Sequence, residues 1–60
     1  MRVKLSETGK SVYDDEPENP HGITGTIDAN YTPWDNEFIV CVRWDNGEVN
    51  SYRDCDLEMI

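Results

Sequence analysis

The chain has 60 residues, and its 13 Asp and Glu outnumber five Lys and Arg for a formal charge of −8. A chain of that length holds one domain, residues 1–60, and buries only about 60% of its unfolded surface, so the core is thin. The charge repels nucleic acid and anionic membranes, no apolar run approaches the ~20 residues of a membrane span, and the expectation is a cytoplasmic protein.

Residues 2–5, Arg-Val-Lys-Leu, alternate charge with apolar side chains and predict a first strand with Val3 and Leu5 inward. Residues 6–22 lose all periodicity. They carry Gly9, Pro17, Pro20 and the acids Asp14, Asp15, Glu16 and Glu18, and read as a long exposed first loop. Val12 and Tyr13 are its sizeable apolar residues and are expected to pin it to the rest. Residues 23–29 alternate again, with Ile23, Gly25, Ile27 and Ala29 on one face; Gly25 there implies a bend or a close backbone approach. Residues 30–36 form a second loop carrying Tyr31 and Trp34 beside Pro33.

Residues 37–44, Glu-Phe-Ile-Val-Cys-Val-Arg-Trp, give the strongest strand signal. Asn46-Gly47 then supplies a hairpin turn. A two-residue type I′ loop would set Trp44 opposite Val49 and Val42 opposite Ser51, leaving Tyr52 on the outer face. A three-residue loop with Gly47 in a bulge would shift that register, and both stand open at this point. Residues 53–56 fit one turn of 3-10 helix, and residues 57–60 a fifth strand. No helical pattern longer than a turn is expected.

Five short strands, a long first loop and one 3-10 turn before the last strand describe an all-β fold, a small five-stranded SH3-like barrel that curls one sheet to limit unpaired edges. Its expected core is Val3, Leu5, Ile23, Ile27, Phe38, Val40, Val42, Trp44, Val49, Leu57 and Met59.

The stretch Val42-Arg-Trp-Asp-Asn-Gly-Glu-Val-Asn-Ser-Tyr-Arg53, followed by Asp56-Leu57, resembles the SH3-like domain of mind bomb ubiquitin ligases. Gly22-Ile-Thr-Gly-Thr-Ile27 is similar to that family's earlier Gly-x-x-Gly-Thr-Val/Ile strand. The resemblance covers about half the chain and implies the barrel and a peptide-recognition role. Two loops depart from it. Only Asp54-Cys55 separates Tyr-Arg from Asp-Leu, where the family has a longer glycine-containing insert. The first loop is acidic and proline-bearing rather than rich in tryptophan and glycine. The chain also looks like the short accessory proteins of tailed bacteriophages.

Two cysteines, Cys41 and Cys55, and one histidine, His21, do not make a zinc signature, and no metal or other cofactor is expected. Cysteine count alone admits a Cys41–Cys55 disulfide, but with no signal peptide read at the start two reduced thiols are the expectation. His21 reads as a solvent-facing loop residue without a nucleophile beside it, and so small a body has no shielded cleft to spare. An enzyme is not expected. Arg2, Lys4, Lys10, Arg43 and Arg53 are too few and too scattered to follow a phosphate backbone, so direct nucleic-acid binding is not expected.

The aromatics Tyr13, Tyr31, Trp34 and Tyr52 fall on or near the two loops that should flank one groove. Flanked by Asp14, Asp15 and Glu16, they predict a contact surface for a proline-rich or basic peptide or protein. The other function class is an acidic decoy, a nucleic-acid mimic that fills the site of a nucleic-acid-binding enzyme, with the −8 charge as its motive.

Overall fold

The computed structural model describes residues 1–29 and 37–60. The expected second loop, with Tyr31 and Trp34, lies outside the described residues. The charged–apolar alternation at the start becomes β1 (Arg2–Leu5), which buries Val3 and Leu5 and exposes Arg2 and Lys4. It is followed by α1 (Glu7–Val12), β2 (Gly25–Ile27), β3 (Val40–Trp44), β4 (Val49–Tyr52), a 3-10 turn (Asp54–Asp56) and β5 (Leu57–Met59). All five strands join one antiparallel sheet in the order β4-β3-β2-β1-β5. The fold is all-β, with β2 and β3 shorter than their alternation patterns.

The expected closed barrel is corrected. The 3-10 turn carries the chain from β4 across to β1, where β5 pairs, and no β4–β5 ladder completes the ring among the described residues. Among the described residues, β4 and β5 each keep one edge without a strand partner.

The helix α1 is a second correction, since residues 6–22 read as loop throughout. At six residues it is too short to stand on propensity. The Ser6 hydroxyl caps it by accepting from Gly9 N–H at 3.1 Å and itself donates to the Cys55 carbonyl at 2.7 Å. The Ser6 N–H donates to the Asp56 carbonyl at 2.9 Å. Gly9 lies so close to that same carbonyl that a Cβ would collide with it. Docking on the 3-10 turn, not periodicity, makes this helix.

The hairpin takes the three-residue loop. Trp44 N–H donates to the Glu48 carbonyl at 2.8 Å and Gly47 N–H to the Trp44 carbonyl at 2.9 Å. Gly47 has φ +93°, and no other described residue has a positive φ, the signature of a type I turn closed by a glycine bulge rather than a type I′ turn. The register is therefore Val42↔Asn50 and Val40↔Tyr52. One residue of slip exchanges the faces of β4. Tyr52, expected on the outer face, is fully buried, and Val49, expected in the core, is 36% exposed.

Val3, Leu5, Val42, Trp44 and Tyr52 form the buried cluster, with Tyr13, Ile23, Ile27, Val40 and Leu57 packed against it. Gly25 faces Trp44 across the β2–β3 ladder, and a Cβ there would meet the Trp44 ring at 2.8 Å, the close approach its position implied. Phe38 is only half-buried. Met59, also expected inside, is 66% exposed because it ends an edge strand with no strand paired beyond it among the described residues. Cys41 is buried although it alternates out of the core face, with its Sγ 3.5 Å from Ser51 Oγ. No disulfide joins Cys41 and Cys55.

Candidate functional site

Residues 13–22 run as a strap over the β3–β4 hairpin, and side chains from the hairpin hold its backbone. Asn46 Nδ2 donates to the Pro17 carbonyl at 2.8 Å, and Asn50 Nδ2 to the Glu18 carbonyl at 3.2 Å and to Asn19 Oδ1 at 2.9 Å. Glu16 and Asn19 exchange backbone hydrogen bonds around Pro17-Glu18. His21, expected to face solvent, is half-buried, and its Nε2 donates to the Tyr13 carbonyl at 2.7 Å. Its N–H donates to Asp15 Oδ1 at 3.0 Å. These bonds fold the strap into a fixed arch.

Below the arch sits a polar knot. Tyr52 Oη accepts from Trp44 Nε1 at 3.0 Å and can donate to the Glu18 carbonyl at 2.7 Å or to Asn19 Oδ1 at 2.8 Å. The Tyr13 ring meets Tyr52 edge to face at 5.4 Å, and its hydroxyl donates to Asp56 Oδ2 at 2.9 Å. Asp56, fully buried, also accepts from the Arg53 N–H and Nε at 3.1 Å each and from Nη2 at 2.9 Å. Burial pushes the Asp56 carboxyl up, but the bonds from Arg53 and Tyr13 outweigh it and hold the pKa below the ordinary value. Burial first, and the Asp56 bond second, push the Tyr13 phenol up to about 12. Burial also lifts Tyr52 to about 12. At neutral pH both phenols keep their protons and Asp56 stays ionised, so none of the three moves a proton there.

The charges divide cleanly. Each of the five cations has an acidic partner within 4 Å: Arg2 with Asp45, Lys4 with Glu58, Lys10 with Glu7, Arg43 with Asp28 and Arg53 with Asp56. The net charge therefore resides on the remaining carboxylates. Four of these, Asp14, Asp15, Glu16 and Glu18, are exposed on the strap, and none has a cation within ion-pair distance among the described residues. The hydrogen-bonded neighbour Glu18, and its charge, hold the Glu16 carboxyl above its ordinary pKa.

Of the expected contact residues, the structure places Tyr13, Asp14, Asp15 and Glu16 together on the strap. Tyr52 is corrected: as a fully buried residue it supports the strap from beneath and offers no contact face. Phe38, Asn19, Asn50 and Ser51 were not expected at a site. With Tyr13 they line a concavity of about 220 Å³ between the strap and the hairpin. Only the hairpin register could have revealed Asn50, because it turns that residue toward the strap side. No protein-family model matches the chain, and no curated protein or solved structure matches it either. Among the described residues no three of His, Cys, Asp and Glu gather as a metal-ligand set, and no helix is long and apolar enough to cross a membrane.

Proposed function

We propose that this chain is a small non-enzymatic module that binds a basic surface or segment of another protein through the strap. One observation carries the reading: the arch that supplies Tyr13 and Asn19 to the concavity also holds Asp14, Asp15, Glu16 and Glu18 in solvent, with every Lys and Arg side chain already matched elsewhere. A cationic side chain seated against Tyr13 and Phe38 would meet aromatic surface and a field of unneutralised carboxylates. A fixed arch loses little entropy on binding, which favours recognition by this segment.

The resemblance to the mind bomb recognition domain supports peptide binding only in a general way. Its shared residues Trp44, Gly47, Tyr52, Arg53 and Asp56 all serve the core, the turn or the polar knot. The acidic decoy remains the second reading, favoured by the same four acids. It is the special case in which the partner's basic surface is a nucleic-acid site. An accessory role in a bacteriophage, acting on a host protein in the cytoplasm, fits either.

Pull-down from cell lysate with wild type and with Asp14→Asn/Glu16→Gln/Glu18→Gln tests the proposal. Loss of the captured protein with the charges, and a steep fall in its recovery between low and high salt, is the expected result. Unchanged capture by the folded triple variant would reject it. Competition by duplex DNA for the captured protein would select the decoy reading.

A further inference from the structure

The edge of β5 is a second surface, at the opposite end of the strand order from β4. The Ser6 N–H to Asp56 carbonyl bond and the Ile60 N–H to Arg2 carbonyl bond, at 2.9 and 3.2 Å, turn the backbones of Asp56 and Ile60 toward β1. By strand alternation, Leu57 and Met59 point their backbone groups away from the sheet. Leu57 N–H is taken by the Asp54 carbonyl. The Leu57 carbonyl and the Met59 N–H and carbonyl have no partner among the described residues, because β5 ends the strand order. Beside this edge, on the core face, lies an apolar cleft of about 190 Å³ lined by Met1, Val3, Ile27, Val40, Leu57 and Met59, with Asp54 also in its wall. Met1, Met59 and Ile60 are each exposed around it.

A strand laid antiparallel on β5 would complete those backbone bonds, and the pleat dictates its side chains. Its residues opposite Leu57 and Met59 share their face and reach the cleft, which has room for about one large apolar side chain. Its residue between them lies on the outer face opposite Glu58. A second copy of this chain is a poor occupant. The two-fold pairing centred on Glu58 sets that carboxylate against its own copy, and each protein brings a charge of −8. Among the described residues Lys4, 3.5 Å away, is the cation that pairs with Glu58, and both side chains stay about half exposed, so the carboxylate keeps a face open to a second cation.

From this geometry we infer that β5 is a strand-addition site for an extended segment of a partner protein with the pattern apolar–basic–apolar. The segment's main chain bonds to Leu57 and Met59, one apolar residue enters the cleft, and its Lys or Arg stands opposite Glu58.

The test uses the full 15N-labelled chain and a capped Thr-Val-Lys-Val-Thr peptide, with Thr-Val-Glu-Val-Thr as comparator. The basic peptide is expected to shift the amide signals of residues 57–60, slow exchange of the Met59 amide, and bind about fivefold more tightly than the acidic one. Glu58→Lys should reverse that order. Met59→Pro, which removes an outward N–H and no ladder bond, should abolish binding of both. The strap variant Asp14→Asn/Glu16→Gln/Glu18→Gln should bind as wild type does, which separates this site from the strap. Equal affinity for the two peptides, shifts confined to residues 13–22, or self-association through β5 without peptide binding would each overturn the inference.

Discussion

Trp44 Nε1 donates to Tyr52 Oη across 3.0 Å, and the two rings meet edge to face with their planes at 78°. The contact runs diagonally from Trp44, which closes the turn, to Tyr52, which pairs with Val40 at the far end of β4, and it exists only in the three-residue-loop register. The same hydroxyl then reaches the strap backbone. A single buried phenol thus couples the hairpin to the acidic arch.

Tyr52→Phe keeps the ring and removes the hydroxyl, which leaves the buried Trp44 N–H without its acceptor and leaves Asn50 alone to hold the strap at Glu18 and Asn19 from the hairpin. A loss of about 1–2 kcal/mol is expected in urea denaturation. Faster amide exchange in the strap should accompany it.

Removing the charge of Asp56 costs more. Asp56→Asn breaks the fork with Arg53 and leaves cationic donors facing a neutral amide. Breaking a buried pair typically costs 3–5 kcal/mol; Arg53 keeps about a third of its side chain in water, so roughly 3 kcal/mol is the expected figure. In a domain with stability of a few kcal/mol, the variant should show a largely unfolded circular dichroism spectrum at 25 °C.

Gly9→Ala sets two effects against each other. Alanine favours a helix interior by about 1 kcal/mol, but its Cβ would overlap the Asp56 carbonyl oxygen and force α1 off the 3-10 turn. The overlap involves backbone, which cannot rotate aside, so the sterics win. A net destabilisation of about 1–3 kcal/mol is expected by thermal or urea unfolding.

Stability should fall at both ends of the pH scale. Bonds from Arg2 and Thr24 lower the Asp45 carboxyl from 3.8 to about 2, so its contribution is complete above pH 3.8 and disappears as pH falls toward 2. Asp56, also lowered, adds to that acid limb. The phenols act with the opposite sense: Tyr13 and Tyr52 rise from 10.0 to about 12, so their contribution is complete below pH 10 and is lost as pH climbs toward 12. Urea midpoints measured across pH should trace both limbs. Asp45→Asn should make the first shallower, leaving the part due to Asp56, and Tyr13→Phe the second, leaving the part due to Tyr52.

Cys41 and Cys55 should separate kinetically. Cys55 is exposed on the 3-10 turn and Cys41 is buried in β3. A thiol reagent should label Cys55 at once in the native protein and Cys41 only on the timescale of unfolding, as mass spectrometry of the labelled peptides would show. Prompt labelling of both would mean that β3 opens locally.

The strands at residues 2–5, 40–44 and 49–52, the turn at Asn46-Gly47 and the 3-10 turn before the last strand were legible in the sequence, because period-two alternation and turn chemistry are local signals. The acidic character of the strap was legible too, since charge needs no folding to be counted. The face of Tyr52 was not. Asn46-Gly47 serves two turn geometries equally well, and their one-residue difference turns every side chain of β4 over; packing against Trp44 and the strap selects between them. Nor was α1 legible, since Ser6 and Gly9 become helical only against carbonyls at the far end of the chain. Composition and alternation determined that this would be a small acidic sheet. Long-range contacts decided which aromatic ring supports the strap, which acids stand free and which edge stays open, because register, docking and closure are set between segments and leave no trace within any one of them.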